Sequence, residues 1–382
     1  MSEEKLYIRS IGGATVEDIQ FLNQTGPDDI ATLTRNQSVT SGGVLMSSGG
    51  TTGDPKLTWV PHTMAIDRIT KHWKPINSHS VLLNLFNPGR LWGSHYYMQE
   101  LARSVGAVSL PSGPILEDSI NWWSIFQIAN VDTLAGNPTV LKNFAIQVLK
   151  AQIELNINTI IWMAEPMTAY IESLLKQAFP KANLWGNYGS VDAWVMGVNW
   201  PECDRATLHL LDDQLMECRK EGSLLTRTGE GWTVKTKRYN TGDVIIPVEC
   251  SCGRPHAFKV LGRAGDVVSL YSAIFSIDEL DSIILKDESV LNTQYEIPNN
   301  GCEKDAGTDN LIVKLLLKPN ANKDIVCQRI RQNLINGLLH MGAVVNKYHN
   351  ALSIHSVEKL SCIERTGKTP KLLKVNINEK SD

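Results

Sequence analysis

The 382-residue chain has no basic excess: 37 lysines and arginines face 40 aspartates and glutamates, for a formal net charge of −3. That excludes a protein that grips nucleic acid through a broad positive surface. No run approaches the roughly 18 apolar residues of a membrane-crossing helix. The opening residues, Met-Ser-Glu-Glu-Lys, lack the apolar stretch of a secretory signal. Cysteines number only seven, which argues against a disulfide framework and for a reducing cytoplasm. Internal repeats and low-complexity tracts are missing as well. So is a Walker phosphate loop, because no register places Gly, four residues, then Gly-Lys-Ser/Thr around the glycine-rich stretch at 47–56. What remains is a soluble globular composition, 42% hydrophobic, long enough for one large domain and a small one.

The stretch that does carry a signal is Ser47-Ser48-Gly49-Gly50-Thr51-Thr52-Gly53-Asp54-Pro55-Lys56, with three glycines, four hydroxyls and one lysine. Glycines let backbone N–H groups approach a polyanion closely. Hydroxyls donate to phosphate oxygens, and Lys56 adds a mobile positive charge. Val44, Leu45 and Met46 read as a short buried strand feeding this loop.

Around it the chain alternates. A helix is expected near 15–22 in a loose lead-in. Strands are expected at 81–86, 107–110, 133–135, 159–163 and 183–185, and helices at 96–105, 119–128 and 167–178. Such alternation predicts parallel sheets covered by helices, with ligands beyond the carboxyl ends of the strands. Residues 205–260 predict an antiparallel subdomain of short strands. Leu261-Gly262-Arg263-Ala264-Gly265-Asp266 reads as a hinge. Beyond it, 311–317 reads as a strand, Val326, Ile330, Leu334 and Leu338 form one apolar helix stripe, and Leu352 and Ile354 alternate on a further strand. The expected fold is α/β. A large N-terminal domain, 1–262, has parallel sheets flanked by helices plus a β subdomain. A small mobile C-terminal α+β domain, 266–382, follows, with the hinge near 263–266.

The order Ser-Ser-Gly-Gly-Thr-Thr-Gly-x-Pro-Lys resembles the phosphate loop of the adenylate-forming enzymes: acyl- and aryl-CoA synthetases, peptide-synthetase adenylation domains and luciferases. The resemblance implies that this loop holds the β,γ-phosphates of ATP while a substrate carboxylate attacks the α-phosphate. Further motifs follow in the family's order. Ala164-Glu165-Pro166 resembles the turn against the adenine in the phenylacetate-CoA-ligase branch, with Met163 where that branch has glycine; an ordinary strand-to-helix turn explains these residues equally. Asn187-Tyr188-Gly189-Ser190-Val191-Asp192 resembles Tyr-Gly-x-Thr/Ser-Glu. This implies Tyr188 on the adenine, Ser190 supplying the hydroxyl that Val191 cannot, and Asp192 as the Mg²⁺ ligand, one methylene shorter than the family's Glu. Tyr239-Asn240-Thr241-Gly242-Asp243 resembles the ribose motif, with Asp243 accepting from both sugar hydroxyls; Thr-Gly-Asp is otherwise a common turn. Gly262-Arg263-x-x-Asp266 resembles the hinge motif, which places Arg263 on the nucleotide and the pivot at Asp266. Arg365-Thr366-Gly367-Lys368 resembles the loop whose lysine bridges carboxylate and α-phosphate, a role for Lys368; a basic tail containing Lys371 and Lys374 is the other reading.

Cys203, His209, Cys250 and Cys252 form a separate constellation, in Pro-Glu-Cys-x5-His and Glu-Cys-Ser-Cys-Gly-Arg. Three thiolates and an imidazole would complete a closed, structural Zn²⁺ site. Buried free cysteines are the alternative. For the acid, Trp92, His95 and Tyr96 are candidates to stack on an aromatic ring, with Asn137 and Trp185.

Together these imply a ligase that converts a carboxylate and ATP to acyl-AMP and pyrophosphate. Lys56, Asp192 and Lys368 carry the chemistry, Mg²⁺ is the metal, and CoA or a carrier-protein thiol is the acceptor. Only 46 residues precede the loop. Among short relatives, the overall shape and several motif variants resemble the adenylate-forming proteins of phenazine antibiotic biosynthesis, and that resemblance implies a phenazine carboxylate such as griseoluteic acid. A homodimer is one expected arrangement; neither nucleic acid nor membrane is an expected partner. Two other readings stand beside this one: a nucleotide-binding pseudo-enzyme, since Val191 and Asp192 depart from the motif, and a module that loads a carrier protein.

Overall fold

The computed structural model describes residues 6–9, 23–47, 57–89, 91–115, 122–228, 231–233, 236–264, 267–270, 273–298, 310–363 and 368–375. The chain divides into two compact units, Met1–Leu261 and Gly262–Asp382.

In the first unit, apolar residues at successive strand positions face opposite sides of the sheet. Leu134, Ile160 and Trp162 enter one core cluster, while Ala135, Ile161 and Met163 enter another. Both faces are therefore apolar and both take helices. Pro138–Ala151 and Ala169–Ala178 supply Leu141, Phe144, Val148, Ile171 and Leu175 to the first cluster. Gly93–Val105 supplies Tyr97, Met98, Leu101 and Ala102 to the second.

The sheet between them has nine strands. In spatial order they are Asp243–Pro247, Ala257–Arg263, Leu208–Leu210, Trp194–Asn199, Asn183–Ser190, Thr159–Met163, Thr133–Gly136, Val81–Asn84 and Val108–Leu110. From Asn183–Ser190 to Val108–Leu110 the pairing is parallel. Trp194–Asn199 and Leu208–Leu210 continue it antiparallel. This is the expected mixed α/β layering, with one correction. Residues 205–260 do not form one separate subdomain, because three of their strands extend the large sheet. The other three, Gln214–Cys218, Leu224–Arg227 and Tyr239–Asn240, join Leu6–Arg9 in a four-stranded antiparallel sheet.

A two-stranded hairpin, Val44–Ser47 with Leu57–Val60, completes the unit, with Ser47 opposite Leu57. The helix expected near 15–22 lies outside the described residues, as does the first part of the one expected at 119–128, whose remainder is Trp122–Ile128.

The second unit has its own core. Its sheet runs Leu352–Val357, Leu311–Leu317, Val290–Pro298, Leu372–Val375. The helix Lys323–Gly337 lays Val326, Ile330 and Leu334 against it; Leu338, the fourth member of the stripe, is the residue that ends this helix and still packs on the same core. Lys371 pairs with Asp281 at 2.7 Å and donates to Thr293, so it is part of this packing rather than of a loose basic tail.

Candidate functional site

Of the glycine-rich loop at 47–56, only Ser47 lies among the described residues; Ser48, Gly49, Gly50, Thr51, Thr52, Gly53 and Lys56 lie outside them. The base of the loop is firmly built. Ser47 closes the hairpin, and its N–H donates to the Leu91 carbonyl at 2.7 Å. On the returning strand, the Thr58 hydroxyl donates to Asp192 Oδ1 at 3.0 Å. Asp192 Oδ2 accepts from the Tyr239 hydroxyl at 2.6 Å. The Tyr188 hydroxyl donates to Asp243 Oδ2, also at 2.6 Å. Three segments far apart in sequence thus meet through six side-chain oxygens: the strand that follows the loop, the Tyr-Gly-Ser-Val-Asp turn and the Tyr-Asn-Thr-Gly-Asp strand. Asp192 and Asp243 are both buried.

The turn itself is demanding. A Cβ on Gly189 would stand 2.2 Å from the Trp194 carbonyl oxygen, so only glycine fits there. The Ser190 hydroxyl accepts from the Ala193 N–H at 3.1 Å. Two engaged oxygens do not exhaust a carboxylate, since each accommodates a second partner. The Asp192 carboxylate, oriented by two hydroxyls beside the loop's base, fits a hard divalent cation.

The residues expected at the adenine and the acid have other partners. Glu165 accepts from Thr139 N at 2.9 Å and Asn137 from Val140 N at 2.8 Å. Both cap the same helix, Pro138–Ala151, through its unpaired first N–H groups. Ala164 takes φ +73° in the turn leading to Glu165, and Pro166 follows exposed. His95 is fixed by its Nδ1 against the Phe86 carbonyl at 2.8 Å. Trp92 is half-buried and directly precedes His95's helix, and Trp185 packs edge-on to Trp73. Tyr96 points outward, 41% exposed.

Its neighbour Tyr97 points in. It is buried, edge-on to Trp194 at 6.0 Å, and the sequence reading did not single it out. Helical spacing from Leu101 and Met98 is the signal that finds it. The Tyr97 hydroxyl and Asn187 Nδ2 are buried without a hydrogen-bond partner among the described residues. Burial pushes the Tyr97 hydroxyl far up in pKa, with the Asn187 side chain opposing weakly. Thr58 also escaped the sequence reading, because nothing local marks a threonine that bonds a carboxylate 134 residues away.

Arg263 is exposed, Asp266 lies outside the described residues, and Lys368 pairs its backbone with Ile363. All three are at or beyond the junction with the second unit.

Cys203, His209, Cys250 and Cys252 come together, their ligand atoms all within 4.8 Å of one another. The edges fit zinc. Two thiolates on a tetrahedral ion stand roughly 3.8 Å apart, and a thiolate and imidazole nitrogen roughly 3.5 Å. Here Cys203 Sγ is 3.6 Å from Cys252 Sγ, which is 3.4 Å from His209 Nε2. His209 Nδ1–H donates to the Pro255 carbonyl at 2.7 Å, which turns the Nε2 lone pair toward the thiols. Backbone N–H groups of Trp200 and Asp204 donate to Cys203 and Cys250 sulfur. Burial pushes the Cys203 thiol up to about 12 and keeps His209 neutral by lowering its pKa. Three thiols and one imidazole with preset donors make a donor set that suits a borderline-soft divalent cation.

No protein family and no curated protein sequence matches the chain. Solved structures do share its fold. A 2-hydroxyisobutyryl-CoA ligase in the postadenylation state, in complex with an acyl-AMP, aligns with TM-score 0.67 at 11% identity, over 94% of this chain and 81% of that one. ATP-bound MatB from Rhodopseudomonas palustris aligns with TM-score 0.59 at 15% identity, over 90% and 67%. The anthranilate CoA ligase AuaEII, in complex with anthranoyl-AMP, aligns with TM-score 0.58 at 15% identity, over 85% and 65%. At these identities the likeness is one of fold, and the fold is that of the acid-CoA ligases.

Proposed function

We propose that the protein activates an aromatic carboxylic acid with ATP, forming an acyl adenylate and pyrophosphate, and passes the acyl group to a thiol such as CoA or a carrier protein. The observation that carries this is the hydrogen-bonded meeting of Thr58, Asp192, Tyr239, Tyr188 and Asp243 at the base of the glycine-rich loop. The shared fold with ligases solved with acyl-AMP and with ATP supports the same reading.

In this reading the loop amides and Lys56 stabilise the phosphates as charge shifts to pyrophosphate. Asp192 holds Mg²⁺, which neutralises phosphate charge. Asp243 accepts the ribose hydroxyls, Tyr188 lines the adenine, and Arg263 contributes to nucleotide contact. Lys368, carried by the 266–382 domain, serves the transferring phosphoryl by movement about 263–266. The acid is taken as a heteroaromatic carboxylate, such as a phenazine carboxylate of the griseoluteic acid kind. The aromatic residues near this stretch, Trp92 and Trp185 with the edge-on pair Tyr97 and Trp194, support an aromatic ring as the acid. The Cys203-His209-Cys250-Cys252 cluster is read as structural zinc, with no ligand left open for water.

The test is ATP–pyrophosphate exchange across a panel of aryl acids. Acid-dependent exchange is expected, with thioester forming only when CoA or a carrier is added. One observation favours the second reading, a nucleotide-binding pseudo-enzyme: Asp192 is already engaged by two neutral hydroxyls. ATP binding without exchange on any acid would establish it. For zinc, untagged protein should contain about one equivalent, and far less would remove the site.

A further inference from the structure

Trp194 adopts φ +52°, the left-handed region, which costs a bulky residue roughly 1–2 kcal/mol. Strain of this kind persists only where surroundings impose it. Here one buried side chain holds both flanks. Arg227 Nη1 donates to the Ala193 carbonyl and Nη2 to the Val195 carbonyl at 2.7 Å. Its remaining donors meet Gln214 Oε1, at 3.2 Å from Nε and 2.9 Å from Nη2. Gln214 in turn donates to the Met196 and Leu211 carbonyls. Arg227 is 3% exposed, and its guanidinium stacks on Trp232, 4.3 Å from the ring centroid.

A buried cation normally has an anion. No carboxylate among the described residues pairs with Arg227, and burial, then repulsion from Arg68, pulls its pKa down to about 9. The cation is spent on two backbone carbonyls and the Gln214 amide oxygen, all neutral, and the first of those carbonyls, Ala193, directly follows Asp192. An aspartate has one side-chain torsion fewer than a glutamate with which to correct a misplaced backbone. Its carboxylate goes where the Ala193 peptide puts it.

We propose that Arg227 is a positioning residue: by clamping the carbonyls on either side of the strained Trp194, it sets the Asp192 carboxylate between Thr58 and Tyr239 for the metal–phosphate chemistry. The inference rests on the proposed adenylation activity for its kinetic arm alone.

The test is Arg227→Lys, which keeps the charge but cannot span two carbonyls and Gln214. The melting temperature is expected within about 5 °C of wild type. The kcat for pyrophosphate exchange is expected to fall about 100-fold with KM for ATP nearly unchanged, and half-saturating Mg²⁺ is expected to rise. Independently of activity, amides at 190–196 should exchange with deuterium faster, while those of Thr159–Met163 hold. Gln214→Asn, which frees the fork without touching the cation, should give the same pattern at smaller size and serves if Arg227→Lys does not fold. A wild-type kcat in either folded variant overturns the proposal. So does loss of exchange protection across the whole sheet, since that marks a merely structural staple. If wild type exchanges pyrophosphate with no acid, the adenylation reading fails, and the local deuterium result still decides the clamp.

Discussion

At the scale of single residues, the site is organised by phenols as much as by carboxylates. Tyr239 opens the Tyr-Asn-Thr-Gly-Asp stretch, yet its hydroxyl serves Asp192, 47 residues earlier. A hydrogen bond to a charged acceptor is worth about 1.5–3 kcal/mol. Tyr239→Phe removes that bond while keeping the buried ring. The expected result is a fall of roughly tenfold to a hundredfold in exchange kcat, with little change in melting temperature. Steady-state kinetics beside a thermal melt checks it, and a lost fold with intact residual kcat would contradict it. The motif residues were readable one by one because each has a local chemical meaning. Their mutual pairing was not, since Thr58, Tyr239 and Arg227 act on partners that only the folded sheet brings near.

At the scale of elements, local propensity misled in one place, for a visible reason. The strand expected to stop at Trp185 runs on through Asn187, Tyr188 and Gly189 to Ser190. Poor strand formers stay extended there because Thr159–Met163 pairs on one side and Trp194–Asn199 on the other. Asn137 was a candidate for the acid, and its side chain caps the helix Pro138–Ala151 beside Glu165. Aspartate caps as well as asparagine and alanine does not. Asn137→Ala should therefore lower unfolding free energy by about 1 kcal/mol while Asn137→Asp stays near wild type, as read by urea denaturation. If both variants unfold alike, the cap is not what the residue contributes.

At the scale of the whole molecule, the clusters that pack the large sheet and the cluster around Leu280, Leu311 and Ile330 share no buried residue among the described residues. Each unit closes its own core. Calorimetry of the full chain should show two transitions rather than one. If the cluster holds zinc as proposed, chelation should lower only the transition of the first unit, where Cys203, His209, Cys250 and Cys252 join the strand Leu208–Leu210 and the turn before it to the loop before Ala257. A single transition that shifts as a block would show that the units unfold together. The hinge-like composition at 261–266 was legible in the sequence because glycine and charge interrupt apolar patterning. The antiparallel half of the large sheet was not, because short strands at 208–210 and 243–247 carry no sign of which sheet they will join.

If Asp243 accepts the ribose hydroxyls as proposed, the phenol on it bears on sugar discrimination. A bare carboxylate that meets a deoxyribose keeps an unmatched oxygen and rejects the analogue strongly. Here the Tyr188 hydroxyl stands ready at Asp243 Oδ2 and fills the gap a missing sugar hydroxyl would leave. The protein should therefore tolerate 2′-deoxy-ATP, with a kcat/KM within about tenfold of that for ATP. Tyr188→Phe should sharpen the preference for the ribonucleotide even as it weakens both substrates.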